Sequence, residues 1–285
     1  MTNAPDESRQ YPIAILDVFA EQRLAGNQLA VVHDAADLST AQMQAIARET
    51  NFSETTFVLS HTAGQAEVRI FTPVRELPFA GHPTVGTAWE LTRGVGEIVL
   101  NLKAGPVTVE FADGIGWMTP PAVTFSGELD TEAAASLLGL NTDQIGTSTP
   151  VALAEVGPRF VLIPVRDLAS LRQAALQVEA RRALLDQGVP VDSIFLFTDE
   201  PYATEADYAA RMFFEASGIR EDPATGSANT AFAAYLLRHH GALGEVIVDQ
   251  GVEMQRPSRL YLRVGHPLQV GGRVQPVITG SLRLE

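Results

Sequence analysis

Two segments with the same pattern of small residues each carry one titratable side chain at the same place. They are residues 82–88 (HPTVGTA) and 222–228 (DPATGSA), which match at proline, glycine and alanine at an offset of 140 residues. The titratable side chains are those of His82 and Asp222. Histidine titrates near neutral pH, so an acid and a base that face one cleft could move protons. Taken singly, a hydrogen-bonded core histidine and a turn-capping aspartate are the simpler interpretations.

A third candidate is the carboxyl group of Glu54, in the segment 51–56 (NFSETT) between a predicted helix and a predicted strand. A carboxylate at the mouth of a strand suits general acid–base catalysis if burial raises its pKa. We expect only a moderate rise, because a proton-abstracting group must start ionised. A glutamate in a solvated turn is the more common interpretation, and the residue types alone leave both open.

Both small-residue segments run into predicted helices. The first turn of a helix has unpaired backbone N–H groups, and together with the helix dipole they attract anions such as carboxylates. Ordinary helices that begin with proline and are capped by serine or threonine would show the same residues. Because the pattern occurs twice, we favour a cleft in which two helix N-termini face one anionic ligand.

The surrounding sequence predicts short strands and one strong helix late in each half. The strands are runs of β-branched and aromatic residues bounded by Gly, Pro or Asp, and the helices follow capping residues and apolar spacing. In the first half the predicted strands are 11–19, 29–33, 55–60, 66–71, 97–102 and 107–111, and the helices are 39–49 and 83–93. In the second half the predicted strands are 159–165, 193–197, 211–214, 246–249, 259–264 and 274–279, and the helices are 131–138, segments of 167–186, and 227–238.

The chain is predicted to be an internal duplication. Besides the small-residue segments, residues 69–71 (RIF) match 211–213 (RMF), and the offset is close to half the chain of 285 residues. A period of this length indicates two similar domains that face each other. The stretch 113–127, rich in glycine and proline, is the best candidate for the linker.

Composition excludes several kinds of protein. The net charge of −14 opposes binding to phosphate backbones and anionic lipids, and no run of Lys or Arg offers a basic patch. The absence of cysteine excludes disulfides, thiolate metal sites and cysteine nucleophiles, and no other metal-ligand spacing is present. No signal peptide and no apolar stretch of about 18–20 residues are found, so we expect a cytoplasmic protein.

Longer motifs resemble those of the PhzF family of phenazine-biosynthesis-like isomerases. They are residues 17–19 (DVF), 26–27 (GN), 51–55 (NFSET), 69–73 (RIFTP), 76–84 (ELPFAGHPT) and 221–228 (EDPATGSA), in the family's order along almost the whole chain. The resemblance implies an α/β (α+β) fold like that of diaminopimelate epimerase, with two pseudo-symmetric halves that each wrap a curved sheet around a central helix. The implied halves are residues 1–120 with about 275–285, and residues 121–274, with the active-site cleft between them.

The resemblance also implies an activity, which is isomerisation by general acid–base catalysis without cofactor or metal. In the phenazine enzyme a glutamate removes a proton from one ring carbon of trans-2,3-dihydro-3-hydroxyanthranilate and redelivers it at another, and Glu54 matches that glutamate. The remaining matched positions are His82, Asp222 and Ser227 for catalysis, and Ser53, Gly81, Thr225 and Gly226 for substrate binding. The implied partners are a small carboxylate-bearing substrate and a second copy of the chain in a homodimer, with no nucleic acid and no membrane.

Two other functions are compatible with these residues. Racemases and epimerases of the same fold use two opposed cysteine thiols, and their mechanism is excluded here because the chain has no cysteine. An epimerase that uses Glu54 or Asp222 together with His82 as its two bases is one alternative. A protein that binds a small carboxylate without transforming it is the other.

Overall fold

The computed structural model describes residues 9–216 and 219–284, which form a mixed α/β structure. The first part of the chain contains β1 (Arg9–Val18), β2 (Asn27–Val32), α1 (Thr40–Thr50), β3 (Glu54–Thr62), β4 (Gln65–Phe71), β5 (Glu76–Leu77), α2 (Gly81–Thr92), β6 (Gly96–Leu102), β7 (Gly105–Ala112) and β8 (Ile115–Met118).

The rest of the chain repeats this order with additional helices. It contains β9 (Thr124–Leu129), α3 (Thr131–Leu138), β10 (Val151–Glu155), β11 (Arg159–Pro164), α4 (Leu168–Gln173), α5 (Val178–Asp186), β12 (Ser193–Thr198), β13 (Tyr208–Ala216), β14 (Ile219–Asp222), α6 (Gly226–His240), β15 (Gly244–Gln250), β16 (Ser258–Val264), β17 (Gln269–Gly272) and β18 (Val274–Leu284).

The two parts pair their strands in the same way. β2 runs parallel to β3 as β11 does to β12, and β4 runs parallel to β6 as β13 does to β15. Parallel neighbours need a crossover connection, and α2 and α6 lie in the equivalent crossovers between β4 and β6 and between β13 and β15. The repeated topology is what an internal duplication would produce.

Strands near the chain's middle and end connect the two parts. β8 pairs antiparallel with β17, which joins the two curved sheets. β18 pairs with β1 from Arg9 opposite Leu284 to Val18 opposite Val274, while β9 pairs with β10. The last strand thus returns to the first part of the chain, and β9 pairs within the second part. This agrees with a division into two halves, residues 1–120 with 275–285 and residues 121–274, whose boundaries stay a prediction.

Each half packs its sheet around one helix that is buried on most sides. α2 buries every residue from Gly81 to Ala88, and α6 is buried along most of its length. A helix without an exposed polar stripe must be covered all round, which accounts for its small and apolar residues. On α6, the fully buried Phe232 packs against Phe197 with ring centroids 4.4 Å apart. Burial of one such side chain contributes about 1.5–3 kcal/mol.

Most predicted elements are confirmed with small shifts at their ends, and the helix at 131–138 is found at Thr131–Leu138. The linker candidate 113–127 is too wide, because β8 and part of β9 lie within it, and only residues 119–123 between these strands are without secondary structure. β10 (VALAE) and β17 (QVGG) were not predicted, since alanine and glycine have weak strand propensity. No helix in the described residues is long and apolar enough to cross a bilayer.

Equivalent arginine–glutamate pairs fix the register of the duplication. Arg69 on β4 donates two hydrogen bonds to Glu76 on β5, at 2.8 and 3.0 Å. Arg211 on β13 donates two to Glu221 on β14, at 2.8 and 2.9 Å. Bidentate pairs of this kind hold their partners in one geometry, so the two glutamates are structural equivalents.

The register differs from the one that the sequence suggests. In both halves the first glycine of the central helix comes five residues after the paired glutamate, at Gly81 and Gly226, so the offset is 145 residues. The alignment of His82 with Asp222 at an offset of 140 is therefore wrong. His82 is equivalent to Ser227, since each is the second residue of its helix.

Candidate active site

Glu54 is the first residue of β3, opposite Leu29 of the parallel strand β2. It reaches this position because α1 ends abruptly: Asn51 adopts the left-handed conformation (φ 52°) that commonly terminates a helix. The side chain of Glu54 is 16% exposed. The carboxyl group is therefore largely enclosed, and the interpretation as a solvated turn residue is wrong.

His82 lies in the first turn of α2 with its side chain 6% exposed. Both ring nitrogens face the protein. One bonds the backbone of Gln28, and the other, Nε2, lies 3.5 Å from Oε2 of Glu54. That nitrogen has no hydrogen-bond partner among the described residues. Burial lowers the pKa of His82 to about 3, so the imidazole is neutral at physiological pH.

Asp222, the last residue of β14, is surrounded by hydrogen-bond donors. The side-chain amide of Asn27 donates to Oδ1 at 2.8 Å, and the hydroxyl of Thr225 donates to Oδ2. Ser53 also bonds this carboxyl group. Burial raises the pKa of Asp222 to about 6, while these three donors hold it down because they favour the ionised form.

The pKa of Glu54 is raised further, to about 8. Burial is the main cause, and the negative charge of Asp222 adds to it. The expectation of a moderate rise with an ionised starting state is therefore wrong for the free protein at neutral pH. At that pH Glu54 is mostly protonated and Asp222 mostly ionised, so the two carboxyl groups hold different charge states.

The N-termini of α2 and α6 meet at two glycines. A Cβ atom built on Gly81 would lie 3.0 Å from the Cα of Gly226 and 3.3 Å from the backbone nitrogen of Ser227. Neither N-cap residue, Ala80 or Thr225, caps its helix with a side chain. Serine or threonine capping, the simpler interpretation of these segments, is thus not found at either helix.

The structure brings the eight predicted site residues into one connected group. Glu54 contacts His82, Ser53 and Thr225 bond Asp222, and the two glycines meet beside Ser227. Sequence reasoning missed Asn27, which reaches Asp222 from the other half of the chain. It also missed Gln250, which bonds the backbone carbonyl of Asp222 at 2.8 Å. A lone Asn or Gln carries no chemical signal of its own, although Asn27 lies in the quoted GN motif.

Neither the surface cavities nor the distribution of metal-ligating residues indicates a second candidate site in the described residues. Two surface cavities, of about 830 and 260 Å³, contain none of the eight predicted site residues. Both are open to solvent, and their linings contain none of the buried side chains that lack a hydrogen-bond partner among the described residues. Within residues 9–216 and 219–284, no group of His, Asp and Glu side chains could hold a metal ion.

A sequence model of the family described as phenazine biosynthesis-like protein matches residues 16–280. The chain belongs to this family. An uncharacterized isomerase of Mesorhizobium japonicum is 36% identical over 97% of this chain and 99% of its own length. The trans-2,3-dihydro-3-hydroxyanthranilate isomerase of Pseudomonas aeruginosa is 39% identical over 87% of this chain and 88% of its own.

Solved structures confirm the predicted fold. The PhzF-family phenazine biosynthesis protein of Bacillus anthracis superposes with a TM-score of 0.85 at 27% identity, covering 96% of this chain and 99% of that one. A hydroxyproline epimerase from Agrobacterium vitis shares the fold with a TM-score of 0.61 at 12% identity, covering 97% and 93%. The fold is therefore that of the diaminopimelate epimerase group, and the chain is an isomerase of the phenazine biosynthesis-like family.

Proposed function

We propose that the protein isomerises a small carboxylate-bearing substrate by general acid–base proton transfer, with Glu54 as the proton shuttle. The observation that carries this proposal is the enclosed carboxyl group of Glu54, 3.5 Å from an unpartnered nitrogen of His82. The bare nitrogen can accept a hydrogen bond from the protonated carboxyl group and so stabilise the acid form of Glu54 during the reaction.

The reaction balances with one mobile proton. Ionised Glu54 takes a proton from a substrate carbon and becomes a neutral acid. Its O–H proton can exchange with solvent, and the acid then protonates another carbon of the same molecule. The raised pKa of about 8 makes its carboxylate a stronger base than an ordinary one. The neutral His82 can accept a hydrogen bond from the protonated form, which holds the acid in place until its proton is delivered to the substrate.

The substrate carboxylate is proposed to bind where the two helices meet. The backbone N–H groups of the first turns of α2 and α6, including those of His82 and Ser227, receive no side-chain cap. Their dipoles favour a negative charge at that point. The missing side chains of Gly81 and Gly226 let the two helix N-termini approach each other closely, so that both can act on one ligand.

The substrate itself is proposed from the relatives. The isomerase of Pseudomonas aeruginosa, 39% identical, is named for trans-2,3-dihydro-3-hydroxyanthranilate, and that compound is our first candidate. The homodimer that the family resemblance implies stays a prediction, which size-exclusion chromatography would test. The cytoplasmic location expected from the sequence also stays a prediction, which cell fractionation would test.

The proposal is tested by NMR in D₂O with this compound, wild-type protein and the Glu54→Gln variant. We expect the wild type to consume the substrate and to place deuterium at the newly protonated carbon, while the variant binds the substrate and turns it over at least ~100-fold more slowly. Binding without exchange in the wild type would favour a non-catalytic carboxylate-binding protein. Exchange at a stereocentre with inversion and no double-bond shift would favour the epimerase.

A further inference from the structure

Gln250, the last residue of β15, makes four hydrogen bonds to the segment that carries Asp222. Its side-chain nitrogen donates to the backbone carbonyl of Asp222 at 2.8 Å and to the hydroxyl of Thr225 at 3.2 Å. Its side-chain oxygen accepts from the backbone N–H of Thr225 at 3.4 Å and from the side chain of Asn229 at 3.0 Å. These bonds use both donors and both acceptor sites of the amide, which is completely buried.

The bond from Gln250 fixes the direction of the bond that Thr225 makes. The hydroxyl oxygen of Thr225 accepts a proton from Gln250, so its own single proton points to Oδ2 of Asp222. Thr225 is the N-cap of α6, and a threonine there normally accepts from the helix's first N–H groups. Its side chain makes no such cap. The hydroxyl thus serves the carboxylate instead of the helix.

We propose that Gln250 is a positioning residue of the acid–base site: through Thr225 it holds a donor on Asp222 and so keeps this carboxyl group ionised beside Glu54. The inference rests on the proposed function and deepens it. The charge of Asp222 raises the basicity of Glu54, so anything that neutralises Asp222 weakens the proton shuttle.

The donor from Thr225 works against several neighbours that favour protonation. Burial opposes the ionised form, and Glu221, the preceding residue on β14, adds negative charge. Glu54 on β3 is mostly protonated at neutral pH and adds negative charge only where it ionises, at higher pH. His82 on α2 is neutral and does not offset them. Loss of one of the three donors to Asp222 should therefore shift its titration to higher pH.

The test is a carbon-13 NMR titration of aspartate-labelled protein without substrate, in which the Asp222 signal is assigned by its loss in Asp222→Asn. The variants are Gln250→Met, Thr225→Val, both together, and Thr225→Ser as the control that keeps the hydroxyl. We expect Gln250→Met and Thr225→Val each to raise the Asp222 midpoint by about one pH unit, and Thr225→Ser to leave it unchanged.

The double variant shows whether Gln250 acts on the Asp222 midpoint through Thr225 or independently of it. If Gln250 acts through Thr225, the double variant shows the same midpoint as Thr225→Val alone, whereas independent contributions would add. Additive shifts, or an unchanged midpoint in Gln250→Met, would overturn the proposal. Should Gln250→Met not fold, Gln250→Asn takes its place, because its shorter amide cannot reach Thr225 and the Asp222 carbonyl together.

The titration needs no turnover, so it separates this proposal from the proposed function. A non-additive result by NMR, in a protein that does not isomerise the candidate substrate, would support the role of Gln250 and contradict the proposed reaction. With active protein, Gln250→Met should also displace the pH–rate profile, a change that loss of stability alone would not cause.

Discussion

Nε2 of His82 lies 3.5 Å from Oε2 of Glu54 and is without a hydrogen-bond partner in the described part of the structure. A neutral imidazole with a bare nitrogen is an acceptor, and protonated Glu54 is the donor that faces it. This contact can tighten when Glu54 takes up a proton and loosen when the proton leaves. The protonation of Glu54 is therefore the quantity that pH experiments should follow.

The first prediction concerns the pH dependence of catalysis. Because Glu54 must be ionised to abstract a proton and its pKa is about 8, we expect kcat/KM to rise with pH and to level off above about pH 8. Steady-state kinetics between pH 5 and 10 measure this, with the exposed Glu97→Gln as a control that should not alter the profile. A kcat/KM that falls above pH 8 would instead make Glu54 the acid.

The second prediction concerns stability. A carboxyl group whose pKa is higher in the folded than in the unfolded protein stabilises the fold at low pH, and this contribution is lost as pH rises from about 4.5 to about 8. The Glu54→Gln variant has no carboxyl group to ionise and does not lose this stability. The free energy of unfolding of the variant should therefore exceed that of the wild type increasingly from pH 5 to pH 9. One pKa unit corresponds to about 1.4 kcal/mol.

Urea denaturation at several pH values checks the second prediction, again with Glu97→Gln as the control. A constant difference between Glu54→Gln and the wild type at every pH would contradict it, because the charge of Glu54 would then play no part. The prediction does not depend on the substrate, so it can be tested before any activity is found.

The third prediction concerns the meeting of the two helices. A methyl group on Gly81 or Gly226 would lie 3.0 to 3.1 Å from the backbone of the opposite glycine, which is too close to be accommodated without movement. We expect Gly81→Ala and Gly226→Ala each to lower the free energy of unfolding by about 1–3 kcal/mol. Gly265→Ala is the matched control, since nothing lies within 4 Å of a Cβ there.

Thermal unfolding checks the glycine prediction. Two alanine variants as stable as the wild type would show that the helices do not meet as closely in solution as they do here. We also expect the two variants to lose more substrate affinity than Gly265→Ala, because the proposed carboxylate site lies at this junction.

The sequence predicted the chemistry of the site better than its geometry. Glu54, His82 and Asp222 were found because their residue types and flanking motifs carry a chemical signal. The register of the duplication was wrong by five residues, because the identities at proline, glycine and alanine were weaker constraints than the pairing of Arg211 with Glu221, which depends on tertiary contacts. Local patterns cannot reveal such pairings.

The contribution of Asn27 could not be predicted for the same reason. It lies 195 positions from Asp222, and its side chain is nonetheless 2.8 Å from that carboxyl group because the start of β2 lies beside the end of β14 in the folded chain. The pKa of Glu54 was also underestimated. Burial of a strand's first residue depends on how the two halves cover it, and that information is not local.

The fourth prediction tests this contact between the halves. Asn27 is buried and donates to Oδ1 of Asp222 at 2.8 Å and to the carbonyl of Ala224 at 2.9 Å. Asn27→Ala should lower the free energy of unfolding by about 1–3 kcal/mol and raise the Asp222 midpoint. The neighbouring exposed Gln28→Ala is the control, since only its backbone bonds His82. Equal effects of the two substitutions would contradict the assignment.

The fifth prediction compares the two equivalent arginines. The side chain of Arg211 is 9% exposed and also donates to the carbonyls of Leu171 and Ala174, whereas that of Arg69 is 25% exposed. Breaking a buried ion pair leaves an uncompensated charge and costs about 3–5 kcal/mol, while a more exposed pair contributes less. Arg211→Met should therefore destabilise the protein more than Arg69→Met in urea denaturation. The opposite order would mean that the ion pair between Arg69 on β4 and Glu76 on β5, which precedes α2 and His82, contributes more to the free energy of unfolding.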